Sequence, residues 1–187
     1  MTVTRKNLGQ IGAMTEEFGN CLTLAPVFPA GRGSATGDLT ITGEEYYNAL
    51  SSVRGLNPLS VLGSAIAHGR GRRLMRCAMA ETEISIADDG GVYPCQLLHE
   101  PQFCAGNIRQ QSITDIYESE IFQELRKIDV YSISGCNTCP IRHLCGGACR
   151  ARAYYESGNL RVSGEFCTYE QLAYVNGLLD SAELVTQ

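Results

Sequence analysis

Nine cysteines, unevenly spread over 187 residues, constrain this chain more than any other feature of its sequence. Eight of the nine follow position 76, and four lie in the single loop 136–149 with the spacing C-x2-C-x5-C-x3-C. An odd number of cysteines in a chain without a secretory leader favours metal binding over disulfide pairing. Thiolates are soft ligands, so four of them in one loop select iron–sulfur clusters or zinc over hard cations.

The spacing of the cysteines separates these two possibilities. Zinc ribbons usually join two C-x2-C pairs around one tetrahedral ion, whereas this loop has one such pair, Cys136 and Cys139. Three further cysteines, Cys77, Cys95 and Cys167, remain to be used, and seven or eight thiolates divide into two four-ligand sites. The pattern therefore favours iron–sulfur clusters, with zinc as the alternative.

The charge and hydropathy of the chain argue against nucleic-acid and membrane partners. The net charge of −5 gives no broad basic surface, which argues against a nucleic-acid partner. The N-terminus has charges but no apolar core behind them, so it does not read as a secretory signal. The most apolar later stretch, 61–67, is too short to span a bilayer. We expect a cytoplasmic chain with no membrane partner.

The first 76 residues have the pattern of an α/β unit. The apolar run 21–28, stopped by a proline and two glycines, predicts a buried strand. Thr42 and Glu45 have capping-box spacing, and Tyr46, Leu50 and Val53 follow as one apolar face. Strand, loop and helix in this order are typical of a parallel α/β sheet.

The domain boundary is expected at the Gly/Arg-rich segment 68–76. We interpret this segment as a solvent-exposed linker, because short runs of charge are usually exposed. The alternative is that its arginines hold an anion or an acidic peptide. A short helix over 58–68 is predicted before it, and Gly55 suits the end of the preceding helix.

The region after Cys77 predicts a hairpin followed by short helices. Residues 83–87 alternate as a strand, 88–91 have strong turn chemistry, and 92–95 return, which brings Cys77 towards Cys95. Ser112 marks a helix start. Further helices are predicted at 121–128, with Ile121, Phe122, Leu125 and Ile128 buried, at 149–156, and at the C-terminus, with Leu172, Val175, Leu179 and Ala182 buried.

These cysteines and one glycine resemble a known family. The pattern Cys77-x12-Gly90-x4-Cys95, then Cys136-x2-Cys139-x5-Cys145-x3-Cys149, then Cys167, is similar to the SPASM domain of radical S-adenosylmethionine (SAM) enzymes. Four short sequence segments are also similar to this family, namely 92–95, 105–108, 112–116 and 145–151. The resemblance therefore covers about residues 77–170. It implies two auxiliary [4Fe–4S] clusters.

The resemblance also implies how the ligands interleave. One cluster would use Cys136, Cys139, Cys145 and Cys167, and the other Cys77, Cys95 and Cys149. In some relatives a fourth ligand lies six residues after the first cysteine, where this chain has Glu83. We favour Cys104 as the fourth ligand, with Glu83, substrate and solvent as alternatives.

Residues 1–76 resemble the closing strand, loop and helix of the radical SAM partial barrel, on the phrases 25–33 and 39–46. The C-x3-C-x2-C motif that binds the SAM cluster is absent, because Cys145-x3-Cys149 is followed by Arg152 where a third cysteine would be. The implied fold class is α+β: the end of a partial (β/α) barrel over 1–76, then a cysteine-rich domain over 77–187 with a hairpin, loops and short helices.

The expected function follows from this resemblance. The chain would be a fragment or split subunit of a peptide- or protein-modifying maturase, in which two clusters relay electrons or anchor substrate. It would need the missing N-terminal half, which binds SAM, and a reductant such as ferredoxin or flavodoxin. The alternative is a non-catalytic metal-binding scaffold with zinc or a single cluster.

A few other side chains are weaker candidates for a functional site. The sequence identifies no catalytic residue. Cys21 is interpreted as a small buried hydrophobe rather than a ligand. His143 is interpreted as a neighbour of the cysteines, and His68 and His99 have no visible partners. Arg32 could approach SAM or substrate, or could position its loop.

Overall fold

The computed structural model describes residues 1–31, 33, 37–54, 56, 58 and 75–185. The predicted helix over 58–68, the end of the preceding helix at Gly55, most of the connector 68–76, Arg32 and His68 lie outside the described residues. The described strands are β1 (Thr2–Val3), β2 (Ala25–Pro26), β3 (Ser85–Ile86), β4 (Gly91–Tyr93) and β5 (Gly106–Asn107). The described α-helices are α1 (Ile11–Phe18), α2 (Gly43–Ser51), α3 (Ile113–Tyr117), α4 (Glu120–Arg126), α5 (Arg142–Cys145), α6 (Arg150–Ser157) and α7 (Cys167–Val185).

The first region contains a small parallel pair of strands. β1 pairs with β2 in the register Thr2 to Ala25, and α1 connects the two. The predicted strand over 21–28 is therefore wrong in extent, because only two of its residues pair and Gly19–Cys21 form a 3₁₀ turn. Cys21 in that turn is exposed, so its interpretation as a buried hydrophobe is also wrong. Neither β1 nor α1 was predicted.

The capping box of α2 is confirmed. The Thr42 hydroxyl accepts a hydrogen bond from the Glu45 backbone N–H at 3.1 Å, and the Glu45 carboxylate accepts from the Thr42 N–H at 2.8 Å. Tyr46 and Leu50 are buried as predicted. Their core joins β1, α1, α2 and the start of α7, and comprises Val3, Ile11, Leu24, Ile41, Tyr46, Leu50, Phe166, Tyr169 and Ala173.

The buried face of α7 differs from the predicted one. Val175 is 45% exposed and Leu179 is 58% exposed, whereas Tyr169, Ala173 and Tyr174 are buried. Leu172 is half-buried, and the side chain of Ala182 lies outside the described part. The prediction failed because α7 packs closely on α2, and this contact selects a face with Ala173 and Gly177 rather than the face with the larger aliphatic residues.

The hairpin after Cys77 is confirmed. β3 and β4 pair antiparallel, with Ser85 opposite Tyr93, and Gly90 occupies the turn at a φ of +90°. That left-handed backbone conformation favours glycine. A third strand, β5, which was not predicted, pairs with the other edge of β4.

The short helices pack around the second core. Ser112 caps α3 by accepting from the Asp115 N–H, and Phe122 and Leu125 of α4 are buried. Ile128 is also buried, just beyond the end of α4, and Gly158 caps the C-terminus of α6. This core contains Met79, Ala80, Val92, Cys95, Leu98, Ile116, Phe122, Leu125, Ile128, Ile133, Cys136 and Ala151.

The mixed helix and sheet content of the predicted α+β class is confirmed. The described residues form no closed barrel, and the partial barrel stays a prediction. No helix in the described part of the chain combines the length and apolar character needed to cross a membrane.

Candidate metal centres

Three thiols from distant parts of the sequence lie together beside the hairpin. Cys77 precedes β3, Cys95 follows β4, and Cys149 is the N-cap residue of α6. Burial raises the pKa of Cys95 to about 11, and the neighbouring Cys77, Glu83 and Cys149 raise it further. Burial likewise raises the pKa of Cys149, with Cys77 adding to the effect. We call Cys77, Cys95 and Cys149 the first thiol group.

A second thiol group consists of Cys136, Cys139, Cys145 and Cys167. Cys136 and Cys139 share one tight turn, Cys145 ends α5, and Cys167 begins α7. Burial raises the pKa of Cys167 to about 11, with Cys136 and Cys139 raising it further. Burial raises the pKa of Cys145 to about 12, and Cys167 adds to that. The four thiols line one small cavity.

Two arginines line the same cavity. Arg150 is 1% exposed, and its guanidinium donates to the carbonyls of Leu160 at 3.0 Å and Val162 at 2.7 Å, and also to that of Gly147. Arg142 donates to the Cys139 carbonyl at 2.8 Å. The Nε atoms of both arginines are buried and have no hydrogen-bond partner. Sequence reasoning missed these residues, and their only signal was their position close to cysteines in the sequence.

The chemistry of the second group fits an iron–sulfur cluster. Four soft sulfur donors surround a cavity, and two N–H groups without partners are available for the sulfurs of a cluster. Burial keeps the thiols protonated well above pH 7, so ligation must release their protons. Among the described residues, no three His, Cys, Asp or Glu side chains are close enough together to hold a single metal ion.

Cys104 contacts Gly106 and Tyr93. Its Sγ lies 3.5 Å from the Gly106 carbonyl oxygen, to which it donates. Burial raises the pKa of Tyr93, and the adjacent Cys104 raises it further. Glu83, in contrast, is close enough to Cys95 to raise the pKa of that thiol. Glu83 therefore lies beside the first thiol group.

The predicted minor candidates make other contacts. His143 Nε2 lies 3.1 Å from the Tyr131 hydroxyl. His99 Nε2 lies 2.9 Å from the Ser85 hydroxyl, and its ring stacks on Tyr93 with centroids 4.3 Å apart. These contacts give both histidines structural partners.

A larger cavity of about 420 Å³ lies between β2, α2, α6 and α7. Cys149 of the first thiol group and Cys167 of the second both contribute to its wall. Most of the remaining wall is apolar, as at Leu24, Phe28 and Phe166. This cavity thus reaches both thiol groups and has the size of a small-ligand or side-chain site.

Polar side chains interrupt the apolar wall of this cavity, among them the three of Arg152, Glu170 and Tyr46. Arg152 donates to the Val27 carbonyl at 3.0 Å and stacks over Phe166 at 4.4 Å. Burial raises the pKa of Glu170 to about 7, and Arg152 opposes that rise. Burial raises the pKa of Tyr46 to about 12, and its buried hydroxyl has no hydrogen-bond partner. None of these three was predicted as a cavity residue.

The comparison with protein families defines the class of the cysteine-rich region. Residues 77–140 match the SPASM family, described as an iron-sulfur cluster-binding domain. Residues 77–140 therefore match an iron–sulfur cluster-binding SPASM domain, as the resemblance indicated.

Three of the curated relatives carry the name AdoMet-dependent heme synthase, AdoMet being SAM. The one from Oleidesulfovibrio alaskensis is 28% identical over 90% of this chain and 50% of its own length. The one from Methanosarcina barkeri is 37% identical over 45% of this chain and 23% of its own length. The chain thus spans at most about half of the length of these relatives.

The solved structures agree on the fold. A structure described as anSMEcpe with bound AdoMet superposes with a TM-score of 0.70 at 15% identity, covering 99% of this chain and 53% of that one. A second, with bound AdoMet and the Kp18Cys peptide, gives a TM-score of 0.69 at 14% identity, covering 99% and 56%. At these identities the likeness concerns the fold.

Proposed function

We propose that this chain holds two auxiliary [4Fe–4S] clusters within a radical SAM enzyme. The observation that carries the proposal is the separation of seven cysteines into two groups of mutually interacting thiols. The second group, Cys136, Cys139, Cys145 and Cys167, supplies four ligands. The first group supplies three, Cys77, Cys95 and Cys149.

The fourth position of the first cluster is proposed to be Glu83, Cys104 or a group of the substrate. The electrostatic effect of Glu83 on Cys95 favours the carboxylate over the Cys104 thiol, which donates to the Gly106 carbonyl. A substrate group is supported by the large cavity, because Cys149 forms part of its wall. Cys104→Ser separates a closed thiolate site from the other two.

Bound clusters would supply electron transfer or an open iron that anchors substrate. The protein would supply access and orientation. The apolar wall of the large cavity excludes water, while Tyr46 and Arg152 present hydrogen-bond donors to a bound molecule. Arg152 also ties α6 to the segment after β2 through the Val27 carbonyl, and so holds the two halves of the cavity together.

A peptide or protein substrate is the first candidate for the complete enzyme. Its support is the fold shared with structures that contain bound peptides. Reductive cleavage of SAM would require the N-terminal half, with its C-x3-C-x2-C motif, and a reductant such as ferredoxin or flavodoxin.

A heme precursor is the second candidate substrate, because the curated relatives that align with nearly the whole chain are named heme synthases. The cavity has donors for a carboxylate in Arg152 and Tyr46. Titrating an iron porphyrin with carboxylate side chains into the reconstituted chain tests this candidate. A saturable Soret shift that is lost in Arg152→Gln supports it, and an unchanged band contradicts it.

The cluster proposal is tested by anaerobic reconstitution. We expect a brown protein with about eight irons and eight sulfides per chain. Stoichiometric zinc with negligible iron would instead support a non-catalytic scaffold.

SAM cleavage is tested separately with the reconstituted chain, SAM and dithionite. We expect no 5′-deoxyadenosine above a no-protein control, and turnover once the N-terminal half is joined to the chain. Turnover by this chain alone would overturn its assignment as the auxiliary part.

A further inference from the structure

Two buried N–H donors without partners belong to arginines that line the cavity of the second thiol group. The Nε atoms of Arg142 and Arg150 are both buried and unbonded, and both residues line the cavity that Cys136, Cys139, Cys145 and Cys167 surround. A buried donor without an acceptor is costly, and two at one site indicate an acceptor that the protein alone does not provide. Sulfur atoms of a cluster are acceptors of this kind.

The buried charge of Arg150 also indicates a negatively charged partner at this cavity. Its guanidinium is almost completely buried, and its partners are three neutral backbone carbonyls. No carboxylate forms an ion pair with it among the described residues. A buried charge normally has a counter-charge, and Cys136 and Cys167, which line the same cavity as Arg150, would supply it as thiolate ligands of a cluster.

We propose that Arg150 and Arg142 donate their Nε–H groups to sulfur atoms of the second cluster, and that they make it the more easily reduced of the two clusters. This inference rests on the proposed two-cluster function. Reduction adds one negative charge to a cluster, so hydrogen bonds and a buried cation beside it stabilise the reduced form. The two arginines are therefore positioning and tuning residues, which act on a potential.

The charged residues around the two thiol groups differ, and the second group has the more positive surroundings. The second group has two arginines and one carboxylate, Glu170, in its cavity wall. The first group has Glu83 beside Cys95 and Arg152 beside Cys149, and Arg152 lies 3.8 Å from the carboxylate of Glu156. The net local charge is thus more positive at the second group, and electrons would collect there.

The test is a redox titration of the reconstituted chain, followed by electron paramagnetic resonance. The signal that Cys139→Ala removes identifies the second cluster, and the first cluster serves as an internal reference. We expect Arg142→Gln and Arg150→Gln each to lower the reduced fraction of the second cluster at least tenfold at fixed potential, which is 59 mV for one electron. Arg150→Lys keeps the charge but loses Nε–H, so its shift should be smaller.

Arg126→Lys is the matched control. Its guanidinium also donates to two backbone carbonyls, those of Ala80 and Tyr117, but its Nε has a partner and it does not line the cysteine cavity. We expect no change in the second potential from this variant. Because Arg150→Gln leaves three carbonyls unpaired and risks misfolding, Arg142→Gln, which releases one carbonyl, decides the matter in that case.

The outcomes separate this inference from the function on which it rests. Full iron content with unchanged potentials in Arg142→Gln and in a folded Arg150 variant would overturn the tuning role and leave the cluster proposal intact. A wild-type chain that takes up no iron would overturn both. Equal shifts of both clusters would indicate a general structural effect, and would also overturn the inference.

Discussion

Gly43, at the start of α2, packs against the start of α7, the helix that carries Cys167 of the second thiol group. A Cβ at this position would lie 2.7 Å from the Tyr169 nitrogen and 2.9 Å from the Phe166 carbonyl oxygen. Both are backbone atoms at the start of α7, on either side of Cys167, so they cannot move without moving the helix. Gly43→Ala should therefore push the start of α7 away from α2.

The magnitude follows from two opposing effects. Overpacking costs about 1–3 kcal/mol, and the better helix propensity of alanine returns at most about 1 kcal/mol. A net loss of about 2 kcal/mol would lower the Tm of a chain of this size by about 4–8 °C. Because α7 begins with the Cys167 thiol, we also expect less iron at the second cluster.

Urea unfolding followed by circular dichroism, together with iron analysis, measures both effects. The matched control is Gly12→Ala in α1, where the nearest atom to the added Cβ would be Val53 Cγ2 at 3.9 Å. That substitution should be neutral or stabilising by up to about 1 kcal/mol. If Gly43→Ala is as stable and as iron-rich as Gly12→Ala, the close packing of α2 on α7 does not position Cys167.

Two further predictions concern the thiols directly. Cys139→Ala should lower the iron content from about eight to about four, whereas Cys104→Ser should leave the second cluster intact; full iron in Cys139→Ala would contradict the ligand assignment. In the metal-free protein, burial raises the pKa of Cys145 from 9.0 to about 12 and that of Cys95 to about 11. These raised values stabilise the fold below pH 9, and the contribution is lost as the pH rises through 11–12. The urea midpoint should fall between pH 8 and 10.5 without clusters but much less with them, and a flat metal-free profile would show that the thiols are not buried as described.

Features that depend on near neighbours in the chain were predictable from sequence. The capping box of Thr42 and Glu45 involves residues three apart, and the hairpin needs only a turn sequence between two short alternating runs. The cysteine spacing identified an iron–sulfur domain for a similar reason, since four ligands within one loop restrict the possible metals before any fold is considered.

Short strands escaped the sequence pattern. β1 and β5 have two residues each, too few to show an alternation. They exist because a partner strand already lies beside them, and partners that are far apart in sequence leave no local trace.

The choice of buried face on α7 belonged to the tertiary structure alone. Its sequence offers an aliphatic stripe with Val175 and Leu179 as well as a stripe with Tyr169 and Ala173, and hydrophobicity favoured the first. Packing selected the second, because the small Ala173 and the side-chain-free Gly43 allow α2 and α7 to approach closely.

The cavity residues were also decided by the tertiary structure. Arg150 reads in sequence as one more charged residue after a cysteine, yet the fold buries it against three carbonyls and directs its charge towards the second thiol group. Tyr46 reads as part of a helix face, yet its hydroxyl lies buried without a partner beside a cavity that reaches both groups. The sequence determined which thiols the chain carries, whereas the fold determined which charges and hydrogen-bond donors surround them, because electrostatic environment depends on distance in space and not along the chain.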